Sequence, residues 1–161
     1  MRGEEETDLA IQRYGDTVRR LCMLHLKNEA DSQDIFQTVF LKYLLYRGEF
    51  ESPEHEKAWF IRVTLNACKD LLKSVFRSRT VSLEELSPQY AAGLTDDSRE
   101  VWRAALALPP KYRDVIYLHY YEGYTAPELS EILGRKVNTI YTDLTRARGK
   151  LKEMLGGEGD G

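Results

Sequence analysis

Between Thr7 and Ser78 the apolar side chains return every third or fourth residue, as Leu21, Leu24, Ile35, Val39, Tyr43, Ile61, Leu65 and Leu72. That recurrence is the period of an amphipathic helix, and nowhere does the chain alternate with the period of two that a half-buried strand needs. The spacing predicts three main helices, the first open to a split. Breaks are expected near Asn28 to Asp31, where Asp31 and Ser32 can cap a new helix, and near Gly48 to Pro53, where glycine and proline punctuate. With 42% hydrophobic side chains in 161 residues, such helices have enough apolar surface to bury a core.

From Ser78 to Asp97 the periodicity stops, and Ser, Thr, Pro, Gly and acidic residues gather. The segment reads as a flexible tether, with room for a short helix at Leu83 to Leu86. Helical spacing resumes over Arg99 to Leu108, stops at Pro109 and Pro110, and returns over Lys111 to Tyr121 up to Gly123. Thr125 and Glu128 have capping-box spacing, with Pro127 in the first turn, so a short helix is expected over 126–133. Gly134 then allows a tight turn before a longer helix from Asn138 to Leu155, with Ile140, Leu144, Ala147 and Leu151 facing inward. A short helix, a glycine turn and a longer basic helix outline a helix-turn-helix, although any antiparallel helix pair can imitate it. The fold class is all-α, two small helical domains on a flexible linker.

Charge narrows the function. The net charge is -3, and residues 1–80 carry 13 basic and 13 acidic groups. Residues 135–152, by contrast, hold Arg135, Lys136, Arg146, Arg148, Lys150 and Lys152 against Asp143 alone. A chain this balanced binds phosphate backbone weakly by itself, since non-specific affinity grows with the phosphates neutralised. Something else must hold it on its target. No apolar stretch approaches the ~20 residues of a membrane span, and Met1 to Glu6 lacks the basic start and apolar middle of a secretory signal, so no membrane insertion and a cytoplasmic location are expected. Cys22 and Cys68 sit in apolar helical patterns and read as reduced and structural. His25, His55 and His119 are scattered, no spacing suits a metal, and no glycine-rich phosphate loop follows a strand. The expectation is no catalysis, no metal and no cofactor.

Two helix faces could touch nucleic acid. Over residues 58–73 the apolar stripe of Ala58, Ile61, Leu65, Cys68 and Leu72 is flanked by Trp59, Arg62, Asn66, Lys69 and Lys73. One aromatic, one amide and three cations suit single-stranded DNA: a base stacks on the ring, the amide reads a base edge and the cations follow phosphates. A solvated face with Trp59 folded onto the core would have the same spacing. On the last helix Asn138, Thr139, Thr142 and Thr145 point outward near the start, followed by Arg146, Arg148 and Lys150. That order suits a helix that reads bases with its N-terminal residues and grips backbone farther along, and it also suits a charged outer side. Asp143 argues against DNA contact if it faces phosphate.

These residues carry a resemblance over nearly the whole chain. Asp31-Ser32-Gln33-Asp34-Ile35-Phe36-Gln37-Thr38-Val39-Phe40-Leu41 resembles the acidic amphipathic helix of region 2 in bacterial sigma factors of the extracytoplasmic-function (ECF) group of the sigma-70 family. Trp59 to Leu72 resembles the following promoter-reading helix, with Asn66 on the family's asparagine. Leu108-Pro109, Arg113, Val115, Leu118, Gly123-Tyr124-Thr125, Glu128-Leu129, Leu133-Gly134, Thr139-Ile140 and Leu144 to Arg148 resemble region 4.

The resemblance implies a region 2 bundle of three or four helices over 7–78, a linker over 79–98 and a region 4 helix-turn-helix over 99–155. It implies that Asp34 and Gln37 dock on the clamp coiled coil of core RNA polymerase. Arg62, Asn66, Lys69 and Lys73, beside Trp59, would engage the minus-ten element of promoter DNA as its strands part, with the loop Phe50 to Lys57 bordering a pocket for a flipped base. Asn138, Thr139, Thr142 and Arg146 would meet the minus-thirty-five element in the major groove. A coil of about 20 residues spans about 25 Å and at most about 65 Å. That permits promoter elements roughly two helical turns apart, at about 34–36 Å per turn. An anti-sigma factor is the implied regulatory partner.

The chain departs from the family at the last helix, where Lys136 stands at a frequent serine cap, Asn138 at a frequent glycine, and Tyr141-Thr142-Asp143 at a basic triplet. Two other functions compete. A sigma-like decoy would occupy an anti-sigma factor without reading promoters, which Asp143 and the low net charge would suit, whereas the Trp59 to Lys69 stripe would then have no use. A generic helix-turn-helix regulator would leave the region 2 resemblance unexplained.

Overall fold

A computed structural model describes residues 2–26, 28–78 and 96–159, with side chains described for 2–26, 28–74 and 99–154. The expected helix at Leu83 to Leu86 lies outside these residues. The chain divides into two compact units, Met1–Tyr90 and Ala91–Gly161. All regular structure among the described residues is helical.

In the first unit α1 (Glu4–Leu26), α2 (Glu29–Leu45) and α3 (Pro53–Ser78) pack on one another. Helix α1 is unbroken. It buries Tyr14, Val18, Leu21 and Cys22 at spacings of three and four, and α2 offers Ile35, Val39 and Tyr43 at spacings of four. Phe60 of α3 lies at the centre, its ring 5.0 Å from Tyr14, 5.0 Å from Phe40 and 4.9 Å from Tyr43. Offset and tilted rings at such distances add about 0.5–1.5 kcal/mol per pair to the area they bury. Both cysteines are free thiols in the core.

The start of α2 differs from expectation. Asn28 is the cap: its side-chain oxygen accepts the Asp31 N–H at 2.8 Å, and its amide donates to the Asp31 carboxylate at 2.8 Å. Ser32 cannot serve, because its hydroxyl is buried and donates to the Asn28 carbonyl one turn back at 2.8 Å. At α3 the Ser52 hydroxyl accepts the His55 N–H at 3.0 Å, and Pro53 occupies the first turn, where a missing N–H costs nothing.

The second unit contains α4 (Asp96–Ala107), α5 (Pro110–Ile116), a π-helical turn (Tyr117–Tyr121), α6 (Ala126–Leu133) and α7 (Val137–Gly159). The helix expected from Arg99 begins three residues earlier, at Asp96. The one expected over Lys111 to Tyr121 loosens into the π turn, where Glu122 N–H reaches back five residues to the Tyr117 carbonyl. Tyr117 favours this by stacking on Tyr121 at 5.1 Å and donating its hydroxyl to Glu122 at 2.9 Å. Gly123 then takes φ 85°, and Tyr124 N–H caps the Leu118 carbonyl at 3.1 Å. Around Trp102, Tyr117, Leu118, Leu129, Ile140 and Leu144 these elements enclose a second core.

Helix α6 has its expected bounds and capping box: the Thr125 hydroxyl accepts from Glu128 N–H at 3.3 Å, and the Glu128 carboxylate accepts from Thr125 N–H at 2.9 Å. The Thr125 N–H, and after it the Thr125 hydroxyl, hold the Glu128 carboxyl below the usual glutamate range. Gly134 closes α6 at φ 68°, a left-handed conformation that costs other residues about 1–2 kcal/mol. The turn hands the chain to α7, with Lys136 in the cap position offering its carbonyl to Ile140 N–H at 3.0 Å.

Candidate nucleic-acid interface

The α3 stripe lies on one side of its helix. Arg62, Asn66, Lys69 and Lys73 are exposed, while Ile61, Thr64 and Cys68 are buried on the opposite side. From Arg62 to Lys73 the polar groups run about 16 Å along the helix axis. Trp59 is placed differently. It is half-buried in an aromatic cluster, with ring centroids 5.9 Å from Tyr43, 5.2 Å from Tyr46, 5.8 Å from Phe50 and 5.1 Å from Phe60. Part of the ring is therefore committed to the core, and through Tyr46 and Phe50 it also touches the connection between α2 and α3.

That connection is firmly held at its α3 end. The Glu56 carboxylate accepts the Tyr14 hydroxyl at 2.9 Å and the Tyr43 hydroxyl at 2.8 Å, joining α1, α2 and the first turn of α3. Burial and the neighbouring carboxylate raise the Tyr14 pKa to about 12 and raise that of Tyr43 further, so both phenols stay protonated donors.

On α7 the side chains separate as the helical period dictates. Ile140, Leu144 and Ala147 are buried, whereas Asn138, Thr139, Thr142, Thr145, Arg146, Arg148 and Lys150 are exposed. Leu151 is only partly covered. Arg148 is also engaged within the unit: its Nε donates to the hydroxyl of Tyr120, an exposed residue of the π turn, and the guanidinium lies 5.6 Å from that ring.

Asp143 corrects the sequence reading. Its side chain is 3% exposed and its carboxylate meets Arg135 at 3.3 Å, so it turns inward and does not face phosphate. Arg135 also reaches Asp114 of α5, at 3.8 Å. One guanidinium thus joins α5, the turn and α7. Two of the charges counted in the 135–152 cluster, Arg135 and Asp143, neutralise each other inside the unit. The outward cations of that segment are Lys136 and those that begin at Arg146.

Asp34 and Gln37 are both exposed on α2. One and two turns beyond them, Leu41 at 55% and Leu45 at 56% exposure share their side of the helix. Sequence reading passed over these leucines. The signal was available: Ile35, Val39 and Tyr43 define the buried stripe, and positions 41 and 45 fall on the far side of it. Two adjacent exposed leucines beside an acid and an amide make a face suited to a protein partner. Among the described residues no group of three or more potential metal ligands occurs, and no helix is long and apolar enough to cross a membrane.

Family comparisons match this geometry unit by unit. Residues 10–78 match the sigma-70 region 2 family, and residues 98–151 match sigma-70 region 4. The ECF RNA polymerase sigma factor SigM of Mycobacterium tuberculosis is 26% identical over 150 residues, covering 92% of this chain and 76% of its own length. RNA polymerase sigma factor SigV of Bacillus subtilis is 29% identical over 130 residues, covering 80% of this chain and 78% of its own. The sigma factor RpoE of Bartonella quintana, solved with the anti-sigma factor NepR, has the same fold, with a TM-score of 0.75 at 20% identity over 96% of this chain and 99% of that one. CnrH, solved with the cytosolic domain of CnrY, gives 0.67 at 24% identity over 98% and 92%. With a region 2 helical unit followed by a region 4 helix-turn-helix, and ECF sigma factors as relatives along most of its length, the chain belongs to the ECF group of the sigma-70 family.

Proposed function

We propose that the chain directs promoter-specific initiation by core RNA polymerase, as a specificity subunit that performs no chemistry itself and works in the cytoplasm. The face of α2 carrying Asp34, Gln37, Leu41 and Leu45 docks on the polymerase. The α3 stripe of Arg62, Asn66, Lys69 and Lys73, with the edge of Trp59, engages the separated strand of the minus-ten element. Asn138, Thr139, Thr142 and Arg146 read the minus-thirty-five element, while Arg148 and Lys150 hold backbone. In this reading residues 7–78 form the polymerase- and minus-ten-binding domain, 79–98 the linker and 99–155 the minus-thirty-five-binding domain.

The observation that carries this reading is the outward placement of an amide-and-cation stripe on α3 in a unit of balanced charge whose α2 also carries exposed leucines for a partner to cover. Docking supplies the affinity that the charge withholds. The decoy reading has lost a support, since the carboxylate of Asp143 is buried and paired. An anti-sigma factor that covered the α2 face would compete directly with polymerase.

Run-off transcription with purified core polymerase tests the proposal. Transcripts should require both components, and the triple substitution Arg62→Ala, Asn66→Ala, Lys69→Ala should lower initiation at least about tenfold. Stable association with core and no initiation on any promoter, genomic fragments included, would favour the decoy.

A further inference from the structure

Arg2 is a cation inside an aromatic box. Its guanidinium lies 4.6 Å from the Tyr43 ring centroid, 5.0 Å from Phe50 and 5.9 Å from Tyr46. One terminal nitrogen donates to the Gly48 carbonyl at 2.7 Å and the other pairs with Glu6 at 2.6 Å, while the backbone N–H reaches the Leu44 carbonyl at 2.9 Å. Its side chain is 13% exposed, and Nε has no hydrogen-bond partner. A buried charge with an unpaired nitrogen is costly, so it persists only where stacking and its two other bonds offset the loss.

Apart from Glu6 in the first turn of α1, everything Arg2 grips belongs to, or leads into, the connection between α2 and α3. That segment is closed from the outside as well: Tyr46 stacks on Phe50 at 5.4 Å, and a Cβ at Gly48 would collide with the Tyr46 ring. Trp59 touches Tyr46 and Phe50, and so the shape of the connection passes directly to the head of the α3 stripe. Arg47, Glu49 and Glu51 project from it as exposed side chains.

We propose that Arg2 is a positioning residue for promoter reading, fixing the 46–52 connection in the one shape that presents its exposed side chains and the Trp59 edge beside Arg62 and Asn66. The inference rests on the proposed promoter reading by α3 and adds a determinant far from that helix in sequence. Holding the connection ready removes an ordering cost that the DNA-bound state would otherwise bear.

The test uses holoenzyme assembled from core polymerase and the full chain, with single-stranded oligonucleotides carrying either the minus-ten sequence of a responsive promoter or a scrambled version. Arg2→Ala should bind the minus-ten strand about five- to tenfold more weakly and discriminate less against the scrambled strand. Its affinity for core polymerase should stay within about twofold of wild type, because the α2 docking face is untouched. Arg2→Lys, which keeps the cation over the rings, should restore part of the discrimination. Gly48→Ala, which pushes the Tyr46 ring away from its contacts with Phe50 and Trp59, should reproduce the loss.

Unchanged discrimination in both Arg2→Ala and Gly48→Ala would overturn the proposal. So would a parallel loss of core binding and strand binding, the sign of general destabilisation. Failure of the wild-type holoenzyme to prefer the minus-ten strand would overturn promoter reading itself, and the Arg2 role with it, a pattern distinct from either of these.

Discussion

Asp143 sits on a helix whose exposed side is polar and cationic, and its carboxylate points the other way, onto Arg135. Removing one partner of a buried pair leaves the other charge short of compensation. Asp143→Asn should therefore destabilise the second unit by about 1–2 kcal/mol in urea unfolding, with Asp114 retaining part of the interaction. The same variant should bind promoter DNA in the holoenzyme no more tightly than wild type. Tighter binding without a stability loss would mean that the carboxylate does repel phosphate. Composition could count Asp143 among the charges but could not orient it, since its partners, Arg135 and Asp114, come from a turn and another helix. Asn28 is a second case. The two expected caps, Asp31 and Ser32, follow it closely, and Asn28 caps because Asp31 is bonded to the Asn28 side chain and the Ser32 hydroxyl turns inward. Exposure was easier to foresee: Arg62, Asn66, Lys69 and Lys73 follow from helical period alone.

At the scale of elements, α6 was fully legible because its signals are local. Thr125, Glu128, Pro127 and Gly134 act within a few residues of one another, and both ends came out as expected. Thr125→Ala should cost about 1 kcal/mol, read as a lowered urea midpoint of the second unit. Glu128 has a depressed pKa, so its share of the box is complete above the usual glutamate range and fades as pH falls through and below that range. Glu128 is solvent-exposed, which keeps that share small. Glu128→Gln should retain most of the box and flatten the acid limb of the stability curve; an unchanged acid limb would contradict the assignment.

The π turn at Tyr117–Tyr121 was not legible, because it depends on how Tyr117 stacks on Tyr121 and bonds Glu122 against the second core. The exposed leucines of α2 lie between these cases. Leu41→Asp or Leu45→Asp should leave the unfolding free energy within about 0.5 kcal/mol of wild type, as for a surface change. Each should weaken association with core polymerase by at least about tenfold in a binding titration. Normal association would remove α2 from the docking surface.

For the molecule as a whole, the order of the two helical units was readable because each has its own hydrophobic pattern and they are separated by a stretch without one. The balanced charge of residues 1–80, 13 basic against 13 acidic, sets the functional limit. A chain so poorly charged for DNA must gain its affinity by mass action through a partner that also holds the promoter. Titrating a labelled promoter duplex with the chain, with core polymerase, and with both together measures this dependence most directly. The expected result is weak, sequence-indifferent binding by the chain alone, and promoter-selective binding only when both are present. Promoter-selective binding by the chain alone as tight as that of the assembled pair, or no gain in selectivity on adding it to core polymerase, would contradict the account.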